Sequence, residues 1–165
     1  MRRLALVLVA AAAVAGAVLL AVRLLARPPS DEERIRALFD AGARAAAERR
    51  VGDAVQGVSE RFRGRGLDKQ GVRQLVAFHA LRGEWRSVSV AGAAVTVEGE
   101  SARAVVDLVL ARSGTGKDLA DLLPAQASAY RVDCALEMED GEWRVVAAEW
   151  RPVALGEALA GPEPP

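Results

Sequence analysis

Three ionisable side chains stand where they could act on a bound ligand: Glu149, His79 and Asp107. Glu149 belongs to the stretch Tyr130–Trp150, in which two alternating runs flank Asp140-Gly141. That dipeptide favours positive φ at both centres of a two-residue type I′ turn and so predicts a β-hairpin. If Glu139 faces Glu142 and strict alternation continues, Val132 faces Glu149, and the carboxyl shares a face with Val132 and Val145. Burial there would raise its pKa and suit it to acid–base work, whereas a rim position would pair it with Arg151. His79, the single histidine, lies near an apolar helix face, as a base or donor or as a semi-buried structural histidine. Asp107 sits between Val105 and Val109 on one face of a strand whose other face carries Ala104, Val106, Leu108 and Leu110. It is a pocket acid or an exposed strand residue.

Other chemistries fail on spacing. Ser113-Gly-Thr-Gly-Lys117 has part of a phosphate loop, but Ala111 stands where the first glycine belongs and Asp118 replaces the Mg²⁺-binding Ser/Thr. A single cysteine, Cys134, excludes an internal disulfide. It is expected in the core, with no activating base beside it. No Cys/His spacing suggests a metal site, and no cofactor is expected. The same hairpin register sets Arg131 against Trp150, which predicts a cation–π pair there.

The elements that must position these groups follow from local pattern. Ser30-Asp31-Glu32-Glu33 reads as a capping box opening a helix to about Arg49, with Ile35, Leu38, Phe39, Gly42 and Ala46 in one stripe. A shorter helical stretch is predicted over Asp53–Arg61 and a turn over Arg63–Gly66. A third helix is capped by Asp68 and ended by Arg82-Gly83. Trp85–Val97 reads as a strand, in which Ala91-Gly92-Ala93-Ala94 breaks the alternation and predicts a bulge or bend. A second strand covers Ala102–Arg112, a connection follows over Ser113–Ser128, and the hairpin comes last. The chain from Gly156 to Pro165 is expected to be a flexible tail.

The ends and the charge balance bear on location. Leu4–Val22 runs for 19 residues without a charge, about 28 Å as a helix, which matches the hydrocarbon thickness of a bilayer. Small residues at Ala13-Val14-Ala15 and Ala15-Gly16-Ala17 offer cleavage sites, but the apolar run continues past them, so an uncleaved anchor is favoured over a cleaved peptide. Arg2 and Arg3 favour a cytoplasmic N-terminus. The expected organisation is an anchor over residues 1–27, a Pro28-Pro29 linker through residue 30, and one domain over residues 31–155 followed by the tail. The expected location is the bacterial cytoplasmic (inner) membrane, crossed once, with the domain outside the cytoplasm. From Ser30 onward 18 basic residues face 22 acidic ones, a net of −4, which disfavours nucleic acid as a partner.

Three helical stretches followed by four long strands give an α+β class. This order resembles the nuclear transport factor 2-like superfamily. The resemblance is carried by Gly141-Glu142-Trp143-Arg144-Val145-Val146, and by Ser59-Glu60-Arg61-Phe62 leading through Gly66-Leu67-Asp68-Lys69 into the third helix. The chain looks especially like bacterial members of unknown function that sit behind an anchor or signal sequence. The resemblance implies a cone-like fold, with N-terminal helices packed in a curved antiparallel sheet around an open-ended pocket. Isomerases and cyclases of the superfamily keep an Asp or His base there, often with a Tyr or Asp donor, and that set is not reproduced here. The expectation is therefore a noncatalytic, membrane-anchored binding or assembly module. Its partners would be the membrane through Leu4–Val22, a protein or second copy through the sheet, or a small hydrophobic ligand. The alternative is an isomerase- or cyclase-type enzyme using Glu149, His79 or Asp107.

Overall fold

The computed structural model describes residues 27–83, 85–112 and 127–163. The apolar run Leu4–Val22 and the Ser113–Lys117 loop lie outside them. The domain begins at Asp31. In chain order it holds α1 (Asp31–Ala47), α2 (Val51–Ala54), β1 (Val58–Arg63), α3 (Lys69–Arg82), β2 (Ser87–Glu98), β3 (Ser101–Ala111), β4 (Ala127–Glu139), β5 (Glu142–Val153) and α4 (Leu155–Ala160). The strands form one sheet in the order β1-β5-β4-β3-β2.

The α+β class holds, but the sheet is mixed. β2 to β5 pair antiparallel, while β1 lies parallel to the edge of β5. The stretch predicted as helical over Asp53–Arg61 is the difference. Helix α2 stops after one turn, Gly57 carries the chain out of it, and Gly57 C=O accepts from Val145 N–H at 2.9 Å. The exposed edge of β5 has main-chain groups to satisfy, and Val58–Arg63 satisfies them better than an isolated short helix could. Gly57 also lies against Leu38, where a Cβ would come within 2.9 Å of Cγ.

The predicted turn forms as expected, with φ of 52° at Asp140 and 80° at Gly141. Helix α1 is clasped to this end of the sheet. Asp31 Oδ1 accepts from the buried Trp143 Nε1–H at 2.9 Å and from Arg34 Nη1 at 2.9 Å, and Arg34 also donates to the Gly141 carbonyl. Asp31, Glu32 and Glu33 occupy its first turn, where the helix dipole favours acids. Ile35, fully buried, anchors the helix in the core. Helix α3 starts at Asp68, whose side chain accepts from Gly71 N–H at 2.8 Å, and ends at Gly83 in the left-handed region.

Two one-residue irregularities bend the sheet and set its faces. In β2 the register slips between Val90 and Gly92, within the predicted bulge. In β5 Leu136 pairs with Val145 and Ala135 with Ala147, so Val146 is extra. The inner face then carries Ala102, Ala104, Val106, Cys134, Leu136, Trp143 and Val145, packed with Ile35 and Phe62. Val132 and Ala148 join this cluster at its margin.

The outer face holds a second cluster, of Val109, Ala129 and Ala158 with Ala91, Ala127, Val153 and Leu155. The residues from Gly156 on are thus no loose tail. Helix α4 packs on the sheet, and Pro162 sits over the β2 bulge, where a Cβ on Gly92 would lie 2.8 Å from its Cδ. Small apolar side chains at Ala158 and Pro162 meet small ones on the sheet, a match that composition alone does not announce.

The edge of β5 permits a direct test. A Cβ on Gly64 would fall 2.4 Å from the Ala148 carbonyl oxygen and 2.8 Å from the Phe62 ring. Backbone cannot yield as a side-chain tip can, so Gly64→Ala should cost about 1–3 kcal/mol in urea denaturation. A midpoint equal to the parent's would show that the 63–67 turn shifts freely.

Candidate functional site

A cavity of about 580 Å³ opens between the helices and the inner face of the sheet. Its walls are apolar: Leu38 and Phe39 from α1, Val76 from α3, and Val88, Leu108 and Val145 from the strands. The polar lining gathers toward the β4–β5 turn, where Arg34, Arg144, Glu142, Gln56 and Asp53 meet. These groups hold one another. Arg144 donates to the Gln56 carbonyl and to Glu142, Arg34 to Gly141 and Asp31, and Asp53 accepts from Arg50. The cavity therefore has one polar, ion-paired end and a long apolar body. Such a space suits a small hydrophobic or amphiphilic molecule.

None of the three residues singled out for chemistry lines this cavity. The extra residue at Val146 shifts the hairpin by one, so Glu149 faces Asp133, and Trp150 takes the place opposite Val132. Glu149 is exposed and borders a shallow outer groove with Arg63, Arg103 and Asp133. The assumption of unbroken alternation is what failed. Val145-Val146-Ala147-Ala148, four apolar residues in a row, was the signal of a slip. A slip also buries the tryptophan in preference to the carboxylate, the direction that hydrophobic transfer favours.

The same shift separates Arg131 from Trp150. The cation over Trp150 is Arg65, 5.2 Å from the ring centre, which also donates to the Trp150 carbonyl. Arg131 instead forms a fork with Asp107: Nε to Oδ1 at 2.8 Å and Nη2 to Oδ2 at 2.9 Å. Asp107 is 0% exposed, so it is neither a pocket acid nor an exposed strand residue. It lies on the outer face, beneath the docked C-terminal segment, and its hydrogen bonds raise the pKa of the Arg131 guanidinium. His79 stacks on Trp85 with ring centres 4.5 Å apart and 19° between planes, and Phe78 meets it edge-on at 5.4 Å. Arg82 in turn lies 4.2 Å from the Phe78 ring centre. The imidazole thus serves an aromatic cluster at the end of α3.

The remaining reactive groups are restrained. Burial pushes the Cys134 thiol up to about 12, with the nearby Asp133 charge adding to the effect, so it stays protonated and inert in the core. Glu139 is held below the usual carboxylate range by Arg61 and by the Ser59 hydroxyl, which donates to it at 2.8 Å. That cluster ties β1 to β4 across β5. No group of three or more metal-ligating side chains occurs among the described residues.

No family model matches the sequence, and no curated protein matches it. Solved structures do. An NTF2-like protein with a cystatin-like fold from Novosphingobium aromaticivorans aligns at a TM-score of 0.56 and 19% identity, over 82% of this chain and 88% of that one. The domain has the nuclear transport factor 2-like fold. An NTF2-like protein of unknown function from Pseudomonas putida KT2440 aligns at 0.55 and 17% identity, over 70% and 82% of the two chains. A candidate aromatic ring hydroxylase from Novosphingobium aromaticivorans aligns at 0.54 and 18% identity, over 80% and 99%. At these identities the likeness speaks for the nuclear transport factor 2-like fold alone, and the site must be judged on its own side chains.

The buried pair gives a sharp expectation. Asp107→Ala leaves the Arg131 guanidinium, only 15% exposed, without its main partner, at a cost of about 3–5 kcal/mol. Replacing both, as Asp107→Leu with Arg131→Met, should cost less than the two single losses together by at least about 2 kcal/mol. Additive losses in a chemical-denaturation cycle would show that the two side chains act independently.

Proposed function

We propose that this chain is a membrane-anchored, noncatalytic binding module whose cone cavity takes a small hydrophobic ligand on the extracytoplasmic side of the bacterial inner membrane. The observation that carries the ligand reading is the cavity itself, which has apolar walls along its body and mutually paired charges at one end. The acid–base groups that an isomerase- or cyclase-type reaction would have drawn on lie elsewhere: Glu149 on the outer surface, Asp107 under α4, His79 against Trp85. Each acid that does line the cavity is neutralised by an arginine, Glu142 by Arg144 and Asp53 by Arg50.

The anchor rests on the uncharged run Leu4–Val22. No helix among the described residues is long and apolar enough to cross a membrane. An anchored binding domain keeps its ligand close to the bilayer, where hydrophobic molecules collect.

Filling the cavity tests the first part. Leu108→Trp adds bulk on the inner face of β3, in contact with the cavity. The parent should bind one equivalent of a neutral apolar dye such as Nile red, and the variant should bind it at least about tenfold more weakly with its fold intact. Equal binding by both proteins would place the dye outside the cavity and remove the ligand reading.

Carbonate extraction tests the second part. The full chain should remain in the membrane pellet with its N-terminal segment intact. Recovery of a soluble form beginning near Gly16 or Val18 would show a cleaved leader and overturn the anchor.

A further inference from the structure

The ion pairs at the polar end of the cavity differ in how firmly their members are held. Arg144 is fixed: its Nη1 donates to the Gln56 carbonyl, and its side chain is only 24% exposed. Its partner Glu142 is loose. That carboxylate is 65% exposed, and Arg144 is its sole hydrogen-bond donor among the described residues. Glu142 also stands directly opposite Glu139 across the hairpin, and like charges so placed repel. Glu139 is better served, because Arg61 and Ser59 both donate to it.

The other charges at this end have settled partners. Asp31 accepts from Arg34 and Trp143 together, and Arg34 donates to the Gly141 carbonyl as well. Asp53 receives Arg50. Arg144 is thus the cation whose partner is replaceable. Two of its five N–H groups are engaged, by Gln56 and Glu142, so further donors remain for a carboxylate held as a fork. Exposed ion pairs contribute little, and a carboxylate from elsewhere can take the place of Glu142 at small cost.

We infer that the cavity takes a single-chain carboxylate amphiphile of the fatty-acid class, with its head on Arg144 in place of Glu142 and its tail along Leu38, Phe39, Val76 and Leu108. This rests on the cavity being a ligand site, as proposed above, and adds the head group. The exchange conserves charge: one carboxylate leaves for water as another arrives, and Arg144 keeps an anionic partner throughout. A neutral head offers Arg144 less than it already has, and an amine head is repelled. The tail supplies apolar contact that Glu142 lacks, which decides the competition in favour of the ligand. Glu142 therefore competes for the site, and its removal strengthens binding.

The test uses the full chain in lipid nanodiscs, with empty discs as background. The probes are 11-(dansylamino)undecanoic acid and its methyl ester, read by energy transfer from tryptophan, since Trp143 lines the cavity. The parent should bind the acid at least about tenfold more tightly than the ester. Arg144→Gln should bring acid and ester to within about twofold of each other. Glu142→Gln, at an exposed position, should tighten the acid about two- to fivefold and leave the ester unchanged. Equal binding of acid and ester by the parent, an acid preference that survives Arg144→Gln, or weaker acid binding by Glu142→Gln overturns the inference. If neither probe binds while Nile red does, the head-group assignment falls and the cavity stands as an apolar site. If Nile red fails as well, the ligand reading falls and takes this inference with it.

Discussion

The extra residue that β5 carries at Val146 governs what each face of the sheet can hold. A strand has a side-chain period of two, so inserting one residue reverses every side chain beyond it. Before the bulge, Trp143 and Val145 point inward beside Met138 and Leu136. After it, Ala148 and Trp150 take the inward positions and Glu149 and Arg151 point out. Had alternation continued, Glu149 and Arg151 would have turned to the inner face, and two charges would have been set against the margin of the apolar cluster. The bulge leaves the inner face apolar up to the rim, where Arg65 covers Trp150.

Charge displaced from the inner face is arranged in rows on the outer one. Asp107, Arg131 and Arg151 align across three strands, and the next row holds Val105, Asp133 and Glu149. Each row alone places like charges opposite one another, on β4 and β5. Adjacent rows then offset each other diagonally, and Asp133 adds to the favourable field at Arg131. Asp107 is the member that water cannot reach, and its bidentate geometry is what makes the burial tolerable. The row therefore acts as a fixed clip at mid-sheet, to which α4 attaches through Glu157, whose carboxylate lies 3.1 Å from Arg131 Nη1.

Much of this was legible in the chain. Asp140-Gly141 located the hairpin, Asp68 and Gly83 bounded α3, and Ala91-Gly92 marked the β2 bulge, because each rests on a local backbone requirement that one or two residues impose. Four features were not legible for the same physical reason: they are settled by distant partners. Val58–Arg63 became a strand because β5 offered an open edge. The segment after Gly156 packs on the sheet because the bulge at Gly92 leaves a hollow for Pro162. Glu149 lost its place in the pocket through one inserted residue, and Asp107 proved to be a buried ion-pair partner only when Arg131 was seen directly across from it. The anchor and the loop at Ser113–Lys117 remain expectations of the sequence.

The walls of the cavity are not equally firm, and this follows from the burial of their side chains. The sheet wall is fixed by ladders on both flanks and by residues such as Val106 and Leu136, each 1% exposed. Helix α1 is tied at its first turn through Asp31 and Trp143 and nailed by Ile35. Helix α3 has neither support. None of its described side chains is fully buried, and Leu75 and Phe78 stand 39% and 49% exposed. Among its links to the rest are a Lys69–Glu60 ion pair, the His79–Trp85 stack and partial burial of Val72 and Val76. Exposed ion pairs contribute little, and local opening favours elements with few buried apolar contacts. Displacing α3 therefore costs less than displacing α1 or the sheet.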